Sequence, residues 1–469
     1  MVGQLTNAGV LGEATVQDFR TSLRGALIGP DDAGYDEARR VWNGMIDKRP
    51  ALIARCTGVA DVISAVQFAR SQHLLVAVRG GGHSFPGLST CDGGLVIDLS
   101  AMTGIWVDPA LRTARAQGGV TWGAFDRETA AFGLATTGGL VSTTGIAGLT
   151  LGGGIGWLMR THGLTCDNLL AADVVTADGR VVTASATENA DLFWALQGGG
   201  GNFGIVTSFE YRLHPMVMVL GGMVLYPAAQ ARDVLRFYRD FTATAPDELT
   251  TLAAFLTAPP APFIPAPLQG TPMVGVVVCH AGAIAEGEAA VRTLRAFGPP
   301  AVDLIGPMPY TVLQTMFDPT APHGLNYYTK SEYLGGLDDD TIDALTTHAT
   351  GMASPLTAVH IHHMQGAVSR VGASDTAYSN RQAPYTLNVI AAWADPHESP
   401  THVQWVRALS AAVQPHTTGG VYSNFLGDEG QDRVRAAYGA ETYDRLVAAK
   451  NQYDPTNLFR LNQNITPMV

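Results

Sequence analysis

Arg79-Gly80-Gly81-Gly82-His83-Ser84 is the segment of this chain best suited to chemistry. Consecutive glycines let backbone N–H groups converge on an anion without steric cost, and an imidazole stands at the end of the run. By itself the segment is either a diphosphate cradle or a tight glycine turn with an idle histidine. A second cluster, Gly199-Gly200-Gly201-Asn202-Phe203-Gly204, has the G-x-G-x-x-G spacing of a dinucleotide fingerprint, which needs a strand before it and a helix after it. His360, His362 and His363 form a third candidate. On a strand His360 and His362 share one face, as metal ligands or proton acceptors do. No further ligand stands at a recognisable spacing, so we read them as polar residues of a substrate-facing sheet, with His362 or His360 as a proton acceptor and no metal. Cys56, Cys91, Cys166 and Cys279 contain no C-x-x-C pair and read as buried free thiols.

Regular elements must position these residues. Apolar spacing predicts a helix over Thr57–Gln72, a strand over Leu74–Arg79 that runs into the glycines, a strand over Gly94–Leu99 and a helix over Thr121–Phe132. Gly138–Leu158 holds eight glycines in twenty-one residues and no charge. Glycine costs about 1 kcal/mol per residue in a helix interior, so this stretch reads as a loop and buried helix around a ligand rather than a membrane span. Strands at Ala171–Thr176 and Val181–Ala184 flank the turn Ala177-Asp178-Gly179. A helix over Asp191–Leu196 then precedes the second glycine cluster, and a strand over Gly204–Leu213 follows it. That order is the reverse of the dinucleotide fingerprint and disfavours an NAD-dependent dehydrogenase.

Composition shifts at His214-Pro215. Beyond it we predict helices at Leu235–Phe241, Glu286–Phe297, Thr341–Ala349 and Pro400–Val413, strands at Met273–Cys279, Ala358–Met364 and Thr386–Trp393, and a surface loop at Ala258–Pro267. The tail from Tyr422 reads as helical. No internal repeat is visible.

A length of 469 residues predicts two or three domains. With 46% hydrophobic and 15% charged residues the chain can bury large cores. Its 29 basic and 41 acidic residues leave a net charge of −12, which excludes nucleic acid and anionic membrane surfaces as partners. Met1–Pro30 has no leader pattern and no apolar run is long enough to cross a bilayer, so a cytoplasmic location is expected. The sequon Asn464-Ile465-Thr466 carries no weight without such a leader.

Five segments occur in one order along nearly the whole chain: Arg79 to Ser84; Gly145-Ile146-Ala147-Gly148 with Gly152-Gly153-Gly154-Ile155-Gly156; Gly163 to Asp167-Asn168; Gly199 to Val206; and Tyr453-Asp454-Pro455-Thr456-Asn457 with Asn462-Gln463-Asn464-Ile465. Together they resemble the berberine bridge enzyme-like FAD-linked oxidases of the vanillyl-alcohol oxidase superfamily. The resemblance implies an α+β chain in which residues 1–215 and 417–469 form a two-part PCMH-type FAD-binding domain. Residues 216–416 would be an inserted α+β substrate domain, an antiparallel sheet covered by helices. It also implies FAD attached through the His83 imidazole to the flavin 8α carbon, which raises the flavin potential and prevents its loss. Cofactor contacts are then expected from Arg79, Gly80, Gly81, Gly82, Ser84, Val141, Thr143, Thr144, Gly145, Gly148, Gly153, Gly154, Asp167, Asn168, Gly204, Ile205, Val206, Tyr422, Asn424 and Asn462.

The chain departs from its relatives at three positions. Val141 stands where many carry a second, cysteinyl link, and Cys166 does not replace that cysteine, so the flavin should be singly attached. Phe85 replaces the tyrosine of plant members. Asn388 stands where relatives place Glu or Gln toward substrate, and an amide cannot act as a base. Thr144 aligns with the residue that controls oxygen access. Tyr422, in Tyr422-Ser423-Asn424, is either the base or a core tyrosine with a bonded hydroxyl. The expected activity is hydride transfer from a C–H bond of a small organic alcohol, phenol, sugar or cyclic amine to FAD, with O2 reduced to H2O2. Alternatives are an oxygenating or dehydrogenating enzyme of secondary metabolism and a flavin-binding protein without catalysis. The expected partners are a small-molecule substrate and O2, and the expected state is a monomer or homodimer.

Overall fold

Four strands begin the fold: β1 (Ala26–Ile28), β2 (Leu52–Arg55), β3 (Val76–Arg79) and β4 (Leu95–Asp98), in the order β1-β2-β4-β3. The computed structural model describes residues 11–349 and 351–468; Met1–Val10, part of the stretch read above as lacking a leader pattern, lie outside them. β2 and β3 both run parallel to β4. Parallel strands need a crossover, and the helix Val59–Ser71 between β2 and β3 supplies it, burying Val62, Val66 and Phe68 against Val76, Leu95 and Ile97. Because β3 stops at Arg79, the glycine run starts where the ladder ends.

A second, antiparallel sheet comprises β5 (Ile105–Asp108), β6 (Thr113–Gln117), β8 (Leu169–Val175), β9 (Val181–Ser185) and β10 (Ile205–Arg212), ordered β5-β6-β10-β8-β9. β7 (Leu134–Ala135) pairs with β11 (His214–Pro215). The helices Gln431–Tyr438 and Ala440–Tyr453 pack Tyr438, Tyr443, Leu446 and Val447 into the core that holds Trp122, Phe125 and Tyr211. The end of the chain and its first half thus share one core.

The remaining strands form an eight-stranded antiparallel sheet: β12 (Met218–Pro227), β13 (Leu249–Thr257), β14 (Pro272–His280), β15 (Val302–Asp303), β16 (Gly306–Pro309), β17 (Asn326–Leu334), β18 (Ala358–His363) and β19 (Tyr385–Trp393). The order is β15-β12-β14-β13-β18-β19-β17, with β16 also on β12. Side chains alternate across a strand. Val359, Ile361, Leu387, Val389 and Ala391 therefore bury against the helices Ala231–Thr242, Asp339–Ala349 and Ser399–Val413. His360, His362 and Asn388 take the opposite face. The result is the mixed α+β architecture expected. Among the described residues no helix is long and apolar enough to cross a membrane.

Two expectations need correction. The helix predicted over Glu286–Phe297 is two helices, Ile284–Ala290 and Arg292–Ala296, split at the fully buried Val291 (φ −88°, ψ −1°). The tail is irregular from Tyr422 to Gly430 apart from one turn at Ser423–Phe425, because Asn424 and Tyr422 direct their polar groups to distant backbone instead of to a helix. β12, β13 and β17, buried along nearly their whole length, are not among the strands predicted from the sequence.

Candidate active site

The glycine run borders a cavity walled by three stretches of chain, 42–206, 317–390 and 422–463. A Cβ on Gly81 would stand 2.3 Å from the Gly145 amide nitrogen, so only glycine lets these two segments lie backbone to backbone. Gly80, Gly81, Gly82, His83, Ser84, Val141, Thr144, Gly145, Gly148, Gly204, Ile205, Val206, Asn424 and Asn462 line this cavity together with His362, Asn388 and Tyr422. Gly199–Gly204 lies between the helix Ala190–Leu196 and β10, the reversed order read from the sequence.

Six of the anticipated cofactor contacts lie behind the wall. Arg79 grips the fully buried Asp98 with Nε and Nη2 at 3.1 and 2.7 Å and donates to the Ala38 carbonyl at 2.6 Å. It anchors the run from beneath. Asp167 is held by both guanidinium ends of buried Arg381 at 2.7 and 3.0 Å. Asn168 donates to the carbonyls of His162 and Leu164 and bonds His214 Nε2 at 2.7 Å. Gly153 and Gly154 pack on Tyr378 and Thr165, and Thr143 touches His83 from outside the wall. The Asp167 and Asn168 side chains are thus spent on bracing rather than directed inward.

His83 Nε2 lies 3.0 Å from the Thr143 hydroxyl, and Nδ1 has no hydrogen-bond partner among the described residues. Its ring stacks on Trp42 at 5.0 Å, Trp42 stacks in turn on Tyr327 at 3.7 Å, and His323 meets the His83 ring edge-on at 5.4 Å. Burial, with His323 adding to it, lowers the His83 pKa to about 3, so the imidazole is neutral. Sequence reading missed Trp42, Tyr327 and His323, because their link to His83 spans distant parts of the chain. Asn43 secures that link: it donates to the carbonyls of Phe85 (2.7 Å) and Tyr327 (3.0 Å) and accepts from the Tyr327 N–H at 3.0 Å.

The Tyr422 hydroxyl oxygen accepts from the Gly154 N–H (2.9 Å), the Ile155 N–H (3.3 Å) and Asn424 Nδ2 (2.9 Å). Gly154 holds φ +91°, a left-handed backbone that turns its N–H toward the phenol. These donors are arranged to stabilise a phenolate. Burial outweighs them and pushes the pKa up to about 12, so the resting group is a phenol.

Across the cavity, His360 and Asn388 face each other in register on β18 and β19. Asn388 Oδ1 accepts from Thr329 Oγ1 at 2.7 Å. His362 Nε2 is buried without a partner among the described residues. The His360 and His362 rings meet edge-on at 5.8 Å, and burial lowers His360 to about 4 and holds His362 well below the ordinary imidazole range. Among the described residues no three His, Cys, Asp or Glu side chains converge as a metal site. Ser89 Oγ and Asn462 Oδ1 are two further buried wall atoms without partners among the described residues. All four cysteines are buried and none faces the cavity.

Residues 50–185 match the family described as FAD binding domain, and residues 421–466 match the family described as berberine and berberine like. An FAD-linked oxidoreductase of Dictyostelium discoideum is 32% identical, over 97% of this chain and 97% of its own. The (R)-6-hydroxynicotine oxidase of Paenarthrobacter nicotinovorans is also 32% identical, over 95% of this chain and 97% of its own. The crystal structure of 6-hydroxy-D-nicotine oxidase from Arthrobacter nicotinovorans superposes with a TM-score of 0.85 at 30% identity, covering 95% of this chain and 99% of that one. A carbohydrate oxidase from Microdochium nivale, 24% identical, superposes at 0.84 over 97% of this chain and 100% of its own and shows the shared fold.

Proposed function

Because this chain belongs to the berberine-like FAD-linked oxidoreductases, we propose that it is an oxidase of a small organic alcohol, phenol, sugar or cyclic amine that carries FAD on His83 and uses O2 as acceptor. The observation that carries the reading is the convergence of His83, Tyr422 and the polar residues of β18 and β19 on one cavity. The chemistry supplied by bound FAD is acceptance of a hydride from a substrate C–H bond and reoxidation by O2 to H2O2.

The residues fit such a cofactor. The Gly80–Ser84 backbone offers an anion cradle, Gly148 has open space where a side chain would stand, and Ser89 Oγ and Asn462 Oδ1 await polar partners. In this reading residues 1–215 and 417–469 hold the cofactor and 216–416 supply the substrate sheet. His83 would hold FAD through Nδ1, the nitrogen left free by Thr143. With no cysteine on the wall, that attachment would be single.

Tyr422 would take the substrate hydroxyl proton, helped by the three donors that stabilise its oxygen. Neutral His360 and His362 and the Asn388 amide would orient the substrate. Thr144, on the wall with no side-chain partner among the described residues, would leave room for O2.

Acid denaturation followed by the absorbance and mass of the intact chain tests the attachment. Flavin should stay with the wild-type chain and leave His83→Ala. Release from both would refute the covalent bond, and peroxide formed in proportion to substrate separates oxidase from dehydrogenase.

A further inference from the structure

Among the described residues, no side chain puts a formal charge on the wall of this cavity. None of its lining residues is Asp, Glu, Lys or Arg, although these types make up 15% of the chain. The lining groups that titrate are neutral near pH 7 as well, since burial moves His83 to about 3, His360 to about 4 and Tyr422 to about 12 and keeps His362 low. Behind the wall Arg79 is paired with Asp98, Asp167 with Arg381 and Lys330 with Glu429, and the Asp318 carboxylate is bonded by the Ser142 N–H and hydroxyl. At the substrate sheet the wall is apolar, made by Ile155, Phe317, Leu356, Ile390 and Phe425. Among the described residues, the polar side chains on this part of the wall are His360, His362, Asn388, Tyr327 and Thr320. Of these, the Asn388 oxygen is taken by Thr329, and the Tyr327 and Thr320 hydroxyls already donate to the Pro322 and Phe317 carbonyls.

A cation or carboxylate entering such a space would lose its hydration and gain no counter-charge. A sugar would bring more hydroxyls than this face can satisfy, and each unsatisfied one opposes binding. A neutral ring with one hydroxyl loses little water and fills the apolar wall. We propose that the substrate is an uncharged, mostly apolar alcohol or phenol that presents one or two hydroxyl groups to His360, His362 and Asn388, and that protonated amines, carboxylates and free sugars are rejected. This narrows the function proposed above and rests on it.

Benzyl alcohol, benzylamine and benzoate share a ring and differ in charge, and glucose supplies the polyol. Each is titrated anaerobically into the flavin-loaded protein, with the change in flavin absorbance read as binding whether or not turnover follows. Benzyl alcohol should bind at least about tenfold more tightly than each of the other three. Equal or tighter binding of any of them overturns the proposal, and so does silence from all four. In Asn388→Asp a carboxylate should face the cavity, and benzylamine should gain about tenfold over benzyl alcohol. Ala358→Asp places the same charge on the adjacent strand if the first variant does not fold. No gain in either folded variant overturns the proposal, whereas a protein that holds no flavin overturns the oxidase reading as well.

Discussion

His83 Nε2 and Thr143 Oγ1 lie 3.0 Å apart although sixty positions separate the two residues. An imidazole with one nitrogen bonded presents the other in a defined tautomer. With its pKa lowered to about 3, His83 is neutral at pH 7, and in the tautomer whose Nε2–H donates to Thr143 the lone pair stands on Nδ1.

Thr143→Val should therefore slow covalent incorporation of FAD into apoprotein by roughly tenfold, the loss typical of removing a group that orients another, while Thr143→Ser restores it. Flavin fluorescence of the denatured chain on a gel, followed in time after FAD addition, is the readout. An unchanged rate in Thr143→Val would show that the bond does not orient His83.

Tyr422 makes a prediction about pH. Its folded pKa of about 12 leaves little phenolate at pH 7, so a rate that requires phenolate rises as pH rises toward that value. The rate constant for flavin reduction, measured by stopped flow, should climb steadily from pH 6 to 10 with no plateau. Tyr422→Phe should flatten the profile and lower the rate by roughly a hundredfold or more, with flavin content unchanged.

Asp167 and Arg381 form a buried ion pair behind the cavity wall. Asp167→Asn leaves a buried guanidinium unmatched and should cost about 3–5 kcal/mol of stability, measured by denaturant unfolding. Its flavin absorbance per folded molecule should equal that of the wild type. A selective loss of flavin without loss of stability would place Asp167 at the cofactor after all.

Asp126 links stability to pH. It is 3% exposed, its Oδ2 accepts from Gln314 at 2.8 Å, and its Oδ1 has no partner among the described residues. Burial raises its pKa to about 7, against an opposing pull from the Gln314 bond. A carboxyl whose pKa is higher in the folded state favours folding most below its unfolded pKa, near 4, and that contribution is lost as pH rises through about 7. The change amounts to about 4 kcal/mol at most. Denaturant unfolding should show greater stability at pH 5 than at pH 8, and Asp126→Asn should remove much of that difference.

Much of the frame was legible in the sequence. The crossover helix, the strand that ends at Arg79 and the reversed order around Gly199–Gly204 all follow from apolar period and from the backbone freedom of glycine. Both signals are local. The ordered series of glycine segments also pointed to the family, because each segment is one continuous stretch of chain.

Tertiary structure alone decided which of those residues face the cavity. Asp167 and Asn168 sit in a family segment yet turn away, because Arg381 and His214 arrive from distant stretches to take their polar atoms. Tyr422 gains its donors from Gly154 and Ile155, more than 260 positions away. The uncharged wall has the same origin. A side chain's type is written in the sequence, but its hydration, its partners and its charge state depend on which neighbours folding brings against it.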